Sequence, residues 1–465
     1  MKNGNELLPN GSVIVVDKNA DRTFAGYYVN KQPWSFLVSG RAFSFEDGIV
    51  DNIYKGKVTR AFASCGGFAD IGIEEDVFVP FEKLTEGDSL ILQITSEMHD
   101  GKTYRANRKI TLSSPNVVLI IDKRIKVEYS KKLSESARYE LKKNEGKYVS
   151  TLADIIGCGK LIIRSSAEKS TVEQICEDIR LLANRWLNIR RKFSTQIEVG
   201  LLDSGDDRTA SFLSHYLSKV DCVVTNDSDV EQLAVDYKIN NIAFVEEEIF
   251  DYTYALAVAD EIIDKKRIVN DKNVNIRFDY PEACTFIDVN SGNFSVNGVR
   301  QSINKTNHLA VDEIARQISL RDITGAIVVD FLTDYNKGHQ QALIDCLRES
   351  FKHDIHKVKV YQNVTSLGHV EIERKRTYEK AQSNWVNYSP DGVKTYTTDY
   401  VVLKLLSAVE NENARNTKAT VVLNKNFDIP EPILNYIKNY SVATIEFATS
   451  DSLTDKLFEI RYEDM

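Results

Sequence analysis

Ala283-Cys284-Thr285-Phe286-Ile287-Asp288-Val289-Asn290-Ser291-Gly292 and Ala326-Ile327-Val328-Val329-Asp330-Phe331 are two apolar, β-branched runs, each broken by an acid. Between them Val311, Ile314, Ala315 and Ile318 recur at helical spacing. Asp312, Glu313, Arg316 and Gln317 take the opposite face, and Gly325 follows the helix. Strand, helix, strand is a βαβ unit. Its right-handed crossover makes the strands parallel, so both carboxyl ends open on one side, where such sheets bind ligands. Two aspartates meeting there repel unless a cation lies between them. Mg²⁺ suits such a pair, because it takes oxygen ligands at ~2.0–2.1 Å, keeps waters, and binds one or two carboxylates plus phosphate. Spacing alone leaves a second reading level with the first, in which each Asp caps a strand or the next helix.

The 465 residues, 42% hydrophobic and 27% charged, describe a globular chain. A chain of this length holds roughly three domains. No apolar run approaches a membrane span and the N-terminus lacks a signal-peptide core, so no membrane role and a cytoplasmic location are expected. Cysteines 65, 158, 176, 222, 284 and 346 have no metal-type spacing and read as buried free thiols. A net charge of −9 gives nucleic-acid binding no general support. A local patch overrides it: Arg105, Arg108, Lys109, Lys123, Arg124, Lys126, Lys131 and Lys132 crowd residues 102–147.

Upstream, Val13–Asp17 and Phe24–Val29 read as a hairpin, with Asp17 in a turn role rather than as a metal ligand. Residues 49–121 alternate short strands with Gly-marked turns and place Phe68 and Phe78 among Lys55, Lys57 and Lys102. That pattern suggests a small OB-type barrel that stacks bases on rings and tracks a backbone with cations, although the same rings also suit a barrel core. A strand at 161–163 ends in Arg164-Ser165-Ser166 and leads to an amphipathic helix over 170–193 with a basic C-terminus. Strands and short helices fill 196–265, where Glu246, Glu247 and Glu248 read as a solvated edge.

The strings TFIDVNSG, NKTNHLAVDEIARQISLRDITGAIVVDF and HQQAL resemble the catalytic region of the ribonuclease E/G family of bacterial endoribonucleases. NIYKGKV and GFADIG resemble the family's OB-fold domain. The resemblance implies an α/β and α+β multidomain chain: an RNase H-like subdomain at 1–48 and 197–270, an inserted OB-fold RNA-binding barrel at 49–121, and a 5′-sensor-like domain at 122–196. A DNase I-like catalytic domain at 271–381, a linker at 382–396 and a small C-terminal α/β domain at 397–465 follow.

The resemblance also implies an activity. Asp288 and Asp330 would hold Mg²⁺, or Mn²⁺ in its place, with Asn290 orienting a carboxylate, and single-stranded RNA would be cut to 5′-phosphate and 3′-hydroxyl products. Phe68, Phe78, Lys102, Lys55, Lys57, Arg374 and Arg376 would grip RNA. Arg164, Ser165 and Val118 would form the 5′-phosphate pocket. Two departures stand out. Ser366 occupies the place of the pocket's other Arg, which favours internal entry over 5′-end recognition. Residues 382–392 lack the family's zinc-link cysteines, so zinc is not expected, and a homodimer or higher oligomer would have to form without it. A non-catalytic RNA-binding or regulatory protein on the same fold is the rival reading, and a DNA-cutting phosphodiesterase a third.

Overall fold

The computed structural model describes residues 8–43, 49–63, 65–80, 83–96, 103–131, 133–204, 212–213, 216–217, 220–237, 239–269, 274–281, 284–291, 299–354, 356–365, 367–375, 381–388, 394–412, 418–441, 443–451, 453 and 456–462. Lys102, Ser366 and Arg376 lie outside them.

An unbroken run of residues buried on both faces makes Ser12–Lys18 a central strand. It pairs in parallel with Cys222–Thr225 and antiparallel with Arg22–Val29, and Asn241–Phe244 and Gln32–Gly40 complete the sheet at either edge. Chain from two distant segments builds this sheet, and everything between them is an insertion.

The insertion begins with a closed barrel. Ile53–Phe62, Gly66–Asp70, Val77–Pro80, Arg105–Asn107 and Ser89–Ser96 pair in turn, and the last closes on the first. Gly67 is a steric requirement of the pairing between the first two of these strands, since a Cβ there would collide with the Arg60 carbonyl oxygen. A second inserted sheet, ordered Lys126–Tyr129, Lys160–Ile163, Val117–Ile120, Thr111–Ser113, is covered by the Val172–Thr195 helix. Thr171 and Gln174 form a capping box at its start, and Ile175, Ile179, Leu182 and Trp186 are buried along one stripe.

The candidate site belongs to a six-stranded sheet ordered Lys266–Val269, Val274–Asp279, Thr285–Asn290, Gly325–Asp330, His369–Arg374, Val358–Val360. Thr285–Asn290 and Gly325–Asp330 run parallel, as the crossover requires, and the other neighbours run antiparallel. Period-two alternation sorts its side chains. Ile276, Phe278, Ile287, Val289, Ile327, Val329, Val370 and Ile372 face a core shared with Val311, Ile314, Ile318, Leu343 and Leu347 of the Val299–Leu320 and Lys337–Ser350 helices. Burying each such side chain contributes ~1.5–3 kcal/mol. The opposite face carries Arg277, Asp288, Val328, Asp330, His369 and Glu371, none of them buried. The site therefore stands on a partly exposed face near the strand ends.

A three-stranded sheet of Thr444–Ser450, Lys418–Asn424 and Phe458–Tyr462, with the Thr398–Glu412 and Glu431–Tyr440 helices, ends the chain. Leu405, Leu406 and Val421 share one core with Val13, Val15 and Phe24 of the first sheet.

Four expectations change. The polar side of the Val299–Leu320 helix is only partly solvated: Asp312 is exposed, but Arg316 is 4% and Gln317 0% exposed. Arg316 binds Glu313, Glu261 and the Pro33 carbonyl, while Arg321 donates to Gln317 and to the carbonyls of Glu261 and Ile262. Glu248 is no idle edge acid, because it accepts from Arg22 and Asn19, each at 2.7 Å. The six cysteines are free, but Cys65 is exposed and Cys158, Cys284 and Cys346 are only half-buried. Asp17 does not sit in a turn either: it belongs to the central strand Ser12–Lys18 and ties it to distant segments. It is 2% exposed and accepts from the Ile249 and Phe250 amides and from Asn226.

Candidate active site

Asp288 and Asp330 are register partners on the two parallel strands, so their side chains leave one face of the sheet about one strand spacing (~4.8 Å) apart. Both are half-exposed. Asn290, two residues on and hence on the same face, donates from Nδ2 to Asp288 Oδ2 at 2.5 Å. His369, the register partner of Asp330 on the far side, brings Nε2 to 3.7 Å from Asp330 Oδ1. Its ring meets Phe286 edge-on at 5.6 Å.

The chain beyond Asp330 is held firmly. Asn307, 3% exposed on the crossover helix, donates to the Leu332 carbonyl at 2.8 Å and accepts the Leu332 N–H at 3.0 Å. Asp334 bonds the Asn336 amide and His339 Nδ1, and Gln340 donates to the Asp334 carbonyl. Two carboxylates on one open face, one of them oriented by an amide, form an oxygen-donor set that fits Mg²⁺. Among the described residues, no cluster of three or more His, Cys, Asp or Glu side chains could hold a metal. A cation between Asp288 and Asp330 would therefore complete its shell with water and phosphate.

The barrel presents a second feature. Arg60, Phe68, Phe78 and Arg105 are register partners in sequence across four strands. Ala69, Val77 and Val79 fill the core behind them, which turns Phe68 and Phe78 outward, half-exposed. The two rings lie 5.4 Å apart, Phe62 packs edge-on to Phe68 at 6.0 Å, and the Arg105 guanidinium sits 5.9 Å from the Phe78 centroid. Lys57 is exposed nearby. Strict alternation from Gly56 and Val58 would turn Arg60 and Phe62 inward, and the register shift between Val58 and Arg60 turns them outward instead, so alternation alone does not reveal them. Lys55 differs from expectation: its ammonium donates to the Gln196 carbonyl and lies over the Phe193 ring, tying barrel to helix instead of facing solvent.

Arg374 is a correction too. It alternates with Val370 and Ile372 on the core side of its strand and is 2% exposed. Its Nε bonds Asp354 at 2.8 Å and its Nη1 bonds Asp322 at 2.5 Å. Burial alone would weaken the guanidinium charge, but the two carboxylates outweigh it and raise the pKa. Arg374 is a buried anchor rather than a cation facing solvent.

At the expected 5′-phosphate pocket, Arg164 donates to the Ser114 carbonyl at 2.9 Å. Val118 faces Ile162 across a strand pair, half-buried. Ser165 lines a cavity whose other walls include Glu168, Glu177 and Asp178. Burial pushes the Asp178 carboxyl up, against hydrogen bonds from Asn116 and Ser114. Walls this acidic repel a phosphate.

A profile of the ribonuclease E/G family matches residues 111–377. The chain is 27% identical over 357 residues to the putative ribonuclease E of Buchnera aphidicola subsp. Baizongia pistaciae, covering 70% of this chain and 85% of that one. It is 26% identical over 437 residues to ribonuclease E of Escherichia coli, covering 83% of this chain but 39% of that protein. Against ribonuclease G of Escherichia coli it is 25% identical over 395 residues, covering 74% and 76%. The profile takes in the whole Asp288–Asp330 unit and more than half of the chain, and the chain belongs to the ribonuclease E/G family.

Proposed function

We propose that this chain is a Mg²⁺-dependent endoribonuclease that cuts single-stranded RNA to 5′-phosphate and 3′-hydroxyl products. The observation that carries the reading is the in-register pair Asp288–Asp330 with Asn290 bonded to one carboxylate. When bound, Mg²⁺ lowers the pKa of water and offsets charge on a reacting phosphate. Asn290 keeps Asp288 Oδ2 in place and leaves Oδ1 for the cation. Asn307 fixes the backbone that follows Asp330, so both carboxylates are pre-positioned. The barrel, read as an OB-type fold, grips unstructured RNA through Phe62, Phe68, Phe78, Arg60 and Arg105, each stacked base contributing ~1–3 kcal/mol. The split five-stranded sheet is read as the RNase H-like subdomain and the six-stranded sheet as the DNase I-like catalytic domain.

The acidic lining beside Ser165 and the engaged Arg164 favour internal entry over capture of a 5′-monophosphate. The test is incubation of purified chain with an AU-rich oligonucleotide, with Mg²⁺ and with EDTA. Internal cuts that vanish with EDTA are expected, and tight binding without cutting would instead make the chain a regulatory RNA binder.

A further inference from the structure

The open face of the six-stranded sheet holds a longer row than the acidic pair. Arg277 is the register partner of Asp288, Asp288 of Asp330, and Asp330 of His369. Register partners share a face, so four adjacent strands present cation, acid, acid and imidazole in one line. At ~4.8 Å per strand the line is roughly 14 Å long. Two nucleotide steps of an extended single strand cover such a length.

Arg277 is 63% exposed and forms an ion pair at 3.0 Å with Asp279, itself 41% exposed. Exposed pairs of this kind are weak and are readily exchanged for a better anion. Arg277 turns to Asp279 along its own strand, so it does not neutralise Asp288. Its planar fork matches phosphate oxygens. At the other end, Phe286 sets the plane of His369 edge-on, and a neutral imidazole N–H suffices to donate to a phosphate oxygen.

We propose that Arg277 and His369 are substrate contacts for the two phosphates flanking the scissile one, with the RNA backbone crossing the strands along this row. The proposal rests on the endoribonuclease reading. It adds a direction for the substrate and two residues that set its register over Asp288 and Asp330.

The experiment is steady-state cleavage by the full chain across a salt series. Arg277→Gln is expected to raise KM on the order of 10-fold, as loss of a charge-assisted contact does. kcat should stay nearly unchanged, and the slope of log KM against log salt should become shallower by about 0.7. Arg277→Lys should restore the slope but only part of the affinity. An oligonucleotide with one neutral methylphosphonate beside the scissile phosphate should weaken the wild type by a similar factor. It should weaken Arg277→Gln no further, because both changes remove one contact. His369→Leu should raise KM and lose its sensitivity to a methylphosphonate on the other side, with the salt slope unchanged because the contact is neutral, and His369→Gln should rescue it. Unchanged KM and slope in Arg277→Gln, or additive penalties, would overturn the proposal while wild-type cleavage leaves the nuclease reading standing. Were the wild type to bind RNA without cutting it, the nuclease reading would fall, and the salt slope of equilibrium binding would still decide on Arg277.

Discussion

Asn307 grips the Leu332 peptide at both ends, its amide donating to the carbonyl at 2.8 Å and its own oxygen accepting the N–H at 3.0 Å. Asn307→Ala leaves two backbone groups without partners, at a cost of ~1–3 kcal/mol for each one buried. The expected outcome is faster hydrogen exchange at the Leu332 amide and a fall in kcat with RNA affinity retained. Asn307→Asp keeps one of the two bonds and should fall between. Equal kcat in wild type and Asn307→Ala would show that the backbone after Asp330 needs no such brace.

Replacing Asp330 by Asn removes a charged oxygen donor while keeping size and register. Changes outside the ligand set already cost ~10–100-fold, so loss of a ligand should lower cleavage by a factor on the order of 10² or more. RNA affinity should stay close to wild type, because the aromatic row of the barrel is untouched. Asn290→Ala, which frees Asp288 to rotate, should cost less, on the order of 10-fold, and should raise the Mg²⁺ concentration needed for half-maximal rate. Filter binding and single-turnover cleavage over a Mg²⁺ series measure both.

Phe68 and Phe78 face away from the barrel core, so truncation should leave the barrel folded. Each ring lost should weaken single-stranded RNA binding by roughly 1–3 kcal/mol, about 5- to 150-fold. Lys55→Ala should leave the salt dependence of binding unchanged, because its ammonium is engaged with Gln196 and Phe193. Lys57→Ala should reduce that salt dependence. Fluorescence anisotropy on one labelled oligonucleotide separates the four variants.

The pairing of Asp288 with Asp330 was readable because a helical period between two apolar runs forces parallel strands, and strand order does the rest. What escaped was non-local. Arg316 and Gln317 lie on the polar side of an amphipathic helix, and periodicity cannot reveal that Glu261, from a helix earlier in the chain, covers that side. Arg374 sits in a basic cluster that suggests phosphate binding, yet alternation with Val370 and Ile372 already placed it inward. Asn307 carries no local signature, since its partner comes 25 residues later. Polar residues whose partners lie far along the chain are the ones that single-sequence patterns misplace.

The acidic cavity beside Ser165 gives a prediction about RNA ends. Matched oligonucleotides bearing 5′-phosphate, 5′-hydroxyl or 5′-triphosphate should be cut at similar rates, within about the factor that one exposed ion pair provides. Arg164→Ala should not change their ratio, because Arg164 is not among the described residues that line this cavity. A strong preference for the monophosphate that Arg164→Ala abolishes would mean that the cavity rearranges around RNA.

Stability should depend on acid through Glu313. Burial pushes its carboxyl up, but hydrogen bonds and charges from Arg316 and Arg267 outweigh this and leave it below the ordinary value. The folded pKa is thus depressed relative to an unfolded value of ~4.3. Its contribution is present in full above that unfolded value and is lost as pH falls through the folded one. Asp17 has the opposite sign. Burial raises its pKa, so its contribution is greatest below the unfolded value of ~3.9 and is lost as pH rises through the folded one. Urea midpoints measured downward from pH 6 should therefore fall in the wild type below about pH 4.3. Glu313→Gln should begin lower at pH 6, because Arg316 loses a buried partner at 2.8 and 2.9 Å, and should show a flatter acid limb. Parallel acid limbs in the two proteins would remove Glu313 from the account of acid sensitivity.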